Sequence, residues 1–412
     1  MQSSSSQERA ITAYIDAHND EALGLLEKVV NINSGSMNLR GVRAVGDVFK
    51  AEFDALGFNT TWVDGARFKR AGHLVANHPG RGPRILLIGH LDTVFEPDSP
   101  FQKFERIDDN TARGPGIIDM KGGDVIIVQA LKALRAAGVG DMNVVVVMTG
   151  DEEDTGAPQS LARAALIDAA KGADFALGFE DGPGDPRYAV TARRGTSAWT
   201  LEVKADPAHS SQIFRSDVGY GAIYELSRVL DGFRERLAGE EFLTFNPGMV
   251  LGGTAVDFDA SQSRGSAAGK TNVVAERAVA IGDLRTLSKE QLERARAVMK
   301  QIAAASLGHT RSTLTFEDGY PSLSPTEGNA KLLALYDRAS QDLGFGPVTA
   351  VSPARAGAAD VSFVADEVKS IIDGIGLMGH DDHTPGETAD LSTLASQTKR
   401  AAILMYRLRS GS

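Results

Sequence analysis

The sequence predicts an α/β protein with a mostly parallel central sheet, interrupted by a smaller α+β domain. Short, uninterrupted apolar runs alternate with segments of helical periodicity, which is the pattern of strand–helix repeats. The runs lie at residues 84–89, 143–148 and 175–179, and such runs are typical of strands buried on both faces of a parallel sheet. A change of pattern after Arg194 predicts that a domain of another type is inserted there.

Helices are predicted on both sides of the first apolar run. Apolar positions recur at helical spacing between residues 8 and 30, which predicts one long helix. Further helices are predicted at 42–56 and 124–137, because Gly57 and Gly138 follow their last apolar positions and glycine commonly ends a helix.

The segment after Arg194 alternates apolar and polar residues, as in a half-buried antiparallel strand. In residues 196–204 the apolar positions are Trp199, Leu201 and Val203. Further elements are predicted as helices at 218–237 and 289–305 and strands at 249–253, 271–274, 278–285 and 312–316.

The α/β pattern returns after Pro321, with a helix predicted at 330–343 and a strand at 370–375. We therefore predict one discontinuous α/β domain, formed by residues 1–193 and 316–412, and one inserted domain of residues 194–315. The inserted segment has an ordinary domain size.

Composition excludes several classes of protein. The 412-residue chain is 42% hydrophobic and carries a formal net charge of −11, with no basic block, which argues against a nucleic-acid partner. It contains no cysteine, which excludes disulfides, thiolate metal sites and cysteine nucleophiles. No apolar run reaches the roughly 18–20 residues that a membrane span needs. The N-terminal MQSSSSQERA predicts either a mature periplasmic or secreted chain whose signal has been removed, or a cytoplasmic protein.

The chemistry of the chain is concentrated where the predicted strands end. Carboxylates and imidazoles of the kind that bind zinc, manganese or cobalt occur there, and sites in α/β proteins form at the carboxyl ends of strands. They are His90 and Asp92 in GHLDTV, Asp119 in GPGIIDMKGG, Glu152 and Glu153 in TGDEED, Glu180 in GFEDG, and His383 in GHDDHTPGE. Ligands spread along the chain in this way indicate a two-metal hydrolase.

Each of these signals also has an ordinary structural interpretation. His90 could be a strand-end histidine bonded to a neighbour, and Asp119 could cap the helix that follows it. The acidic run at 151–154 could be a solvated loop. On spacing alone, His380 serves as well as His383. The metal-site interpretation is favoured because several separate strand ends all carry ligand types.

Taken together, the motifs IGHLDTVF, GPGIIDMKGG, TGDEE, GFED and GHDDHTPGE resemble the M20 family of metallopeptidases, and most closely its glutamate carboxypeptidases. The resemblance spans nearly the full chain. It implies a zinc-exopeptidase-like catalytic domain formed by 1–193 and 316–412, and a lid and dimerisation domain at 194–315 with a four-stranded sheet and two helices.

The resemblance also implies roles for individual residues. It implies two Zn²⁺ ions per chain, with Co²⁺ or Mn²⁺ as substitutes. The implied assignments are His90 and Glu180 for one ion, Glu153 and His383 for the other, Asp119 as the bridge, Asp92 as the residue that orients His90, and Glu152 as the general base acting on a bridging water.

In the lid domain, His209 matches a histidine that reaches into the partner subunit's site and stabilises the oxyanion. Asn272 and Arg285 match residues that bind the substrate's terminal carboxylate, a group that suits the planar fork of arginine. The family's Gly-Gly-Thr-Asp loop reads GAAD from Gly357 here, so we expect less room for the backbone near that carboxylate.

The expected activity is removal of a C-terminal amino acid, with glutamate as the first candidate, from small peptides or N-acyl amino acids by a homodimer. Two alternatives stay open. One is an aminoacylase or diacid deacylase of the same family. The other is a non-catalytic homologue that binds metal or peptide, which the loss of a ligand or of Glu152 would mark; the sequence retains them all.

Overall fold

The structure is a computed structural model that describes residues 5–409, and ten α-helices lie within them. The N-terminal segment used to predict the compartment begins with residues 1–4, which lie outside the described range. The helices are α1 (Ser6–Ala17), α2 (Asn19–Val30), α3 (Leu39–Ala55), α4 (Gly122–Ala136), α5 (Gln159–Ala162), α6 (Ala164–Ala170), α7 (Ala222–Leu237), α8 (Lys289–Ala304), α9 (Glu327–Asp342) and α10 (Ser392–Arg409).

The strands of residues 5–409 fall into several sheets. They are β1 (Asn59–Asp64), β2 (Gly72–His78), β3 (Arg81–His90), β4 (Glu105–Arg106), β5 (Thr111–Arg113), β6 (Met142–Thr149), β7 (Phe175–Gly178), β8 (Tyr188–Ala189), β9 (Gly195–Ala205), β10 (Thr244–Gly253), β11 (Ala255–Asp259), β12 (Arg264–Ala268), β13 (Arg277–Thr286), β14 (Thr310–Asp318), β15 (Thr349–Ala350), β16 (Ile371–Ile372), β17 (Gly379–His380) and β18 (Thr388–Asp390).

The chain divides into two units, Met1–Ala192 with Pro325–Ser412, and Arg193–Ser324. The predicted boundary at 315/316 therefore differs from the observed one. Strand β14 continues to Asp318 along β9, and the backbone N–H of Thr196 bonds the carbonyl of Tyr320, so these residues lie with the second unit.

The first unit is built on a six-stranded sheet with the order β1-β2-β6-β3-β7-β16. Strands β6, β3, β7 and β16 run parallel, whereas β1 and β2 add an antiparallel edge. This confirms the predicted mostly parallel sheet. In the register, His90 lies opposite Thr149, and Ile88 lies opposite Gly178, so the carboxyl ends of β3, β6 and β7 meet at one edge.

Several predicted elements of this unit differ in extent. The helix predicted at 8–30 is two helices, because His18 has φ −119° and ends α1 before α2 begins. Apolar spacing did not reveal the break, since Ile11, Ile15 and Leu26 all pack into the same core. The strand predicted at 370–375 is only Ile371–Ile372, and β1, β2 and α10 were not predicted.

The second unit is a four-stranded antiparallel sheet, in the order β10-β13-β9-β14, with helices α7 and α8. Trp199, Leu201 and Val203 of β9 are buried with apolar residues of both helices, which confirms the predicted alternation. The strand predicted at 271–274 is reduced to an isolated bridge between His209 and Val273. A hairpin of β11 and β12 was not predicted.

Within residues 5–409, no helix combines the length and the apolar character that crossing a bilayer requires.

Candidate metal centre

One group of ligands forms where β3 and β7 end. His90 is the last residue of β3, and its Nε2 lies 3.0 Å from Oδ1 of Asp119 and 3.7 Å from Oε1 of Glu180. Ligand atoms of all three residues lie within 4.8 Å of one another. Residues predicted from three separate segments therefore converge on a volume suited to one cation.

A second group lies on the other side of Asp119. Nε2 of His383 is 2.9 Å from Oδ2 of Asp119 and 3.1 Å from Oε2 of Glu153. It is His383, and not His380 of β17, that contacts Asp119. The two oxygens of Asp119 thus face two imidazoles, which is the placement that a bridging carboxylate requires.

Asp119 owes its position to an irregular turn. Gly116 has φ +68°, and Asp119 and Met120 have non-helical backbone angles within the turn Ile117–Lys121 that precedes α4. A Cβ at Gly116 would lie 2.3 Å from a methyl carbon of Thr93, so a larger residue would displace the turn. The side chain of Asp119 does not cap α4, because the N-cap residue is Lys121 and the helix has no side-chain cap hydrogen bond.

Asp92 organises the neighbouring acidic loop more than it contacts His90. Its carboxylate accepts hydrogen bonds from the backbone N–H groups of Glu152, at 3.0 Å, and Glu153, at 3.1 Å. The hydroxyl of Ser36 donates to it at 2.5 Å. Nδ1 of His90 lies 3.1 Å from the backbone carbonyl oxygen of Asp92 but 3.6 Å from the carboxylate, which is too long for a hydrogen bond.

The electrostatics of the site fit cationic occupants. Burial raises the pKa of Glu153 and of Glu180 to about 7, and burial together with Glu180 raises the pKa of Glu152 well above its usual range. Hydrogen bonds to Asp119 and Glu153 raise the pKa of His383 to about 11. Buried carboxylates that repel one another around two imidazoles are stabilised by divalent cations, and the donor set is one that zinc, manganese and cobalt accept.

Two further buried ionic side chains, which were not predicted, fix the loops around the site. The carboxylate of Glu387 accepts hydrogen bonds from the backbone N–H groups of Gly116, Ile118 and Asp119, at 2.9, 3.0 and 3.3 Å. Nζ of Lys121 donates to the carbonyl of Ile32 at 3.0 Å, and burial lowers its pKa to about 7. Glu387 is the last residue of the HTPGE motif, and this motif is the one sequence feature from which its role could have been predicted.

The buried guanidinium of Arg163 contacts the acidic loop formed by residues 151–154. Nη1 of Arg163 donates to Oδ1 of Asp151 at 2.6 Å, and its Nε lies 2.8 Å from Oδ1 of Asp360. The other oxygen of Asp360 accepts from the hydroxyl of Thr149, at the end of β6. The network ties the acidic loop to the GAAD segment, in which Gly357 is exposed and has open space where a Cβ would lie.

We expect Arg163→Met to lower the free energy of unfolding by about 3–5 kcal/mol, because it leaves the buried carboxylates of Asp151 and Asp360 without their cation. Urea unfolding followed by circular dichroism would measure the change. The matched control is Arg187→Met, since Arg187 is exposed and pairs with Asp185, and an exposed pair contributes about 0–1 kcal/mol. Equal effects of the two substitutions would contradict the buried network.

In the second unit, His209 and Asn272 are neighbours. The backbone N–H of Ser210 bonds the carbonyl of Asn272 at 2.9 Å, and both side chains are in exposed positions. Nδ1 of His209 lies 3.3 Å from the backbone N of Ser211 and 2.8 Å from the Ser211 hydroxyl oxygen. Both of these contacts are made by Nδ1 and not by Nε2 of the ring.

Arg285 lies at one end of the four-stranded sheet of this unit, and His209 lies beyond the other end. Arg285 pairs with Thr196 near the start of β9, whereas His209 follows the end of β9 at Ala205. The strand between Thr196 and Ala205 spans roughly 30 Å at ~3.3 Å per residue. Asn272 and Arg285 of one chain therefore do not reach the same carboxylate, and their predicted joint role requires two copies of the chain. Nε of Arg285 donates to Asp283 at 2.9 Å.

Comparison with known proteins gives a consistent result. The sequence model of peptidase family M20/M25/M40 matches residues 86–407. Carboxypeptidase G2 of Pseudomonas sp. (strain RS-16) is 27% identical over 394 residues, which cover 94% of this chain and 89% of that protein.

Solved structures share the fold. An aminopeptidase PepT from Bacillus cereus superposes with a TM-score of 0.76 and 18% identity, over 95% of this chain and 98% of that one. A dinuclear metal binding peptidase of the M20 family from Bacillus subtilis gives a TM-score of 0.65 and 16% identity, over 96% and 99% of the two chains. Because the family model covers most of the sequence, the chain belongs to peptidase family M20/M25/M40 and is a metal-binding hydrolase of that family.

Proposed function

We propose that the protein is a two-metal carboxypeptidase that releases a C-terminal amino acid, with glutamate as the leading candidate, from small peptides or N-acyl amino acids. The observation that carries the proposal is the position of Asp119, whose two oxygens face His90 and His383 at 3.0 and 2.9 Å. The likeness to carboxypeptidase G2 over most of both chains supports the choice of substrate class.

The residues that would hold the metals follow from these contacts. His90 and Glu180 form one position, Glu153 and His383 form the other, and Asp119 serves both. We infer zinc, with Co²⁺ or Mn²⁺ as substitutes, from the mixture of imidazole and carboxylate donors. When bound, two such ions would polarise the scissile carbonyl and lower the pKa of a water.

Glu152 is the residue proposed to move protons. Its loop is held at the site because its backbone N–H bonds Oδ1 of Asp92 at 3.0 Å. A Glu152 carboxylate oxygen accepts a proton as the water oxygen bonds to the carbonyl carbon, and it then donates that proton to the leaving nitrogen as the C–N bond breaks. A single carboxylate thus serves as base and then as acid.

Two residues of the second unit are proposed to recognise the substrate. An imidazole N–H of His209 would suit a developing oxyanion, and the guanidinium of Arg285 suits the terminal carboxylate. Because these residues lie at opposite ends of one sheet, we infer a homodimer in which each site draws on both chains. The edge strand β10 offers a surface for the second copy, since Val250 is 50% exposed and Ile223 of α7 is 47% exposed.

The substrate class can be tested with an N-acyl glutamate and its α-amide, using metal-loaded protein and measuring the released glutamate or glutamate α-amide. We expect the free carboxylate to be preferred, and we expect Arg285→Met to raise KM about 10–100-fold, as for the loss of a charged hydrogen bond worth ~1.5–3 kcal/mol. Arg311→Met is the control, because Arg311 is exposed on β14 of the same sheet. Equal hydrolysis of acid and amide would contradict a carboxypeptidase.

A further inference from the structure

The loop that carries His383 also carries an acidic residue, Asp382, within a turn held by hydrogen bonds. The loop joins β17 to β18, and Asp381 and His383 both have left-handed backbone angles, with φ of 62° and 58°. The carbonyl of Asp381 accepts hydrogen bonds from the backbone N–H and the hydroxyl of Thr384, at 3.2 and 2.8 Å. The turn therefore defines the backbone position of Asp382, which lies between the two left-handed residues.

Asp382 lies within reach of the same volume as His383 and Asp119. Ligand atoms of these three residues lie within 4.8 Å of one another, the same criterion that His90, Asp119 and Glu180 meet. Zinc–nitrogen and zinc–oxygen bonds are ~2.0–2.2 Å long, so the ligands of one ion lie up to about 4 Å apart. The spacing of these three ligand groups is therefore close to that expected around one ion.

The carboxylate of Asp382 has no other polar partner among the residues that the structure describes. Over residues 5–409 it makes no hydrogen bond and no ion pair, whereas Glu153 contacts His383 and Glu387 bonds three backbone N–H groups. Its neighbour Asp381 carries the same charge in the same loop, yet it does not belong to the ligand group. The chain thus provides its own matched control.

We propose that Asp382 is an additional ligand of the second metal position, which makes the two positions chemically unequal. The first position then has one imidazole and the carboxylates of Asp119 and Glu180. The second has one imidazole and the carboxylates of Asp119, Glu153 and Asp382. An oxygen-rich set with one more negative charge favours harder cations such as Mn²⁺. This inference rests on the proposed two-metal function.

The test is metal binding by full-length protein from which metal has been removed with a chelator. Zn²⁺ and Mn²⁺ are titrated separately into the wild type, Asp382→Asn and Asp381→Asn, and heat and stoichiometry are recorded. We expect the wild type and Asp381→Asn to bind two equivalents. Asp382→Asn should keep the first equivalent and bind the second at least about 10–100-fold more weakly, by analogy with losses seen for outer-shell partners of metal ligands, with the larger loss for Mn²⁺.

The outcomes separate this inference from the proposed function. A second equivalent bound by Asp382→Asn with wild-type affinity would overturn the ligand role alone. The same holds if Asp381→Asn weakens it equally, because the effect would then be one of loop charge. A wild type that binds only one equivalent would instead overturn the two-metal function and this inference with it.

Discussion

Glu152→Gln is expected to lower kcat by about 10²–10⁴-fold, because the amide cannot accept the proton that the attacking water must lose. The substitution keeps the shape of the side chain, and the backbone N–H of Glu152 remains available to Asp92. Metal content should stay at the wild-type value, since the ligands proposed here are other residues. Steady-state hydrolysis of an N-acyl glutamate, with metal analysis of the same sample, would measure both quantities.

The control for this prediction lies in the same loop. Asp154 is exposed and pairs with Arg70 at 2.7 Å, so Asp154→Asn changes the loop charge by the same amount without touching the proposed proton path. We expect its kcat to remain within a few-fold of the wild type. If Glu152→Gln retained wild-type turnover with full metal, the assignment of the base would be wrong.

His209→Ala should lower kcat by about 10²–10³-fold, the range found when one oxyanion donor is removed. If each site uses residues of both subunits, as inferred, mixing two variants gives a sharper test. When Glu152→Gln and His209→Ala proteins are mixed, dissociated and reassembled, half of the dimers are mixed, and each contains one site with both native residues. Activity should return to about one quarter of the wild-type value.

A second mixture serves as the control. Glu152→Gln and Asp119→Asn alter the same metal centre within one chain, so every site of their mixed dimer keeps one defect. Mixing them should restore nothing. If the Glu152 and His209 variants also failed to complement while forming mixed dimers, His209 would not act across the subunit boundary.

The parallel sheet and the ligand segments were accessible to sequence reasoning because both leave local marks. Apolar runs marked β3, β6 and β7, and ligand types followed them directly, as His90 and Glu180 do. The four-stranded sheet of the second unit was similarly visible in the alternation around Trp199.

The supporting residues Glu387 and Arg163 could not be identified from local sequence patterns. Glu387 bonds backbone N–H groups more than 260 positions earlier, and nothing near it in the sequence identifies them. Arg163 lies between the short helices α5 and α6, and its buried partners Asp151 and Asp360 are recognisable only after folding. The separation of Asn272 from Arg285 likewise depends on strand register rather than on composition.

The discontinuity of the first unit sets the order in which the site can be completed during synthesis. A ribosome has released every residue of the His90, Asp119 and Glu180 group well before the segment Arg193–Ser324 is finished. The imidazole of His383, and the Glu387 contacts that fix the turn around Asp119, arrive only after that segment has been made. Under the proposed function, a nascent chain that ends before His383 lacks a ligand of the second cation position, and we expect it to have no hydrolytic activity.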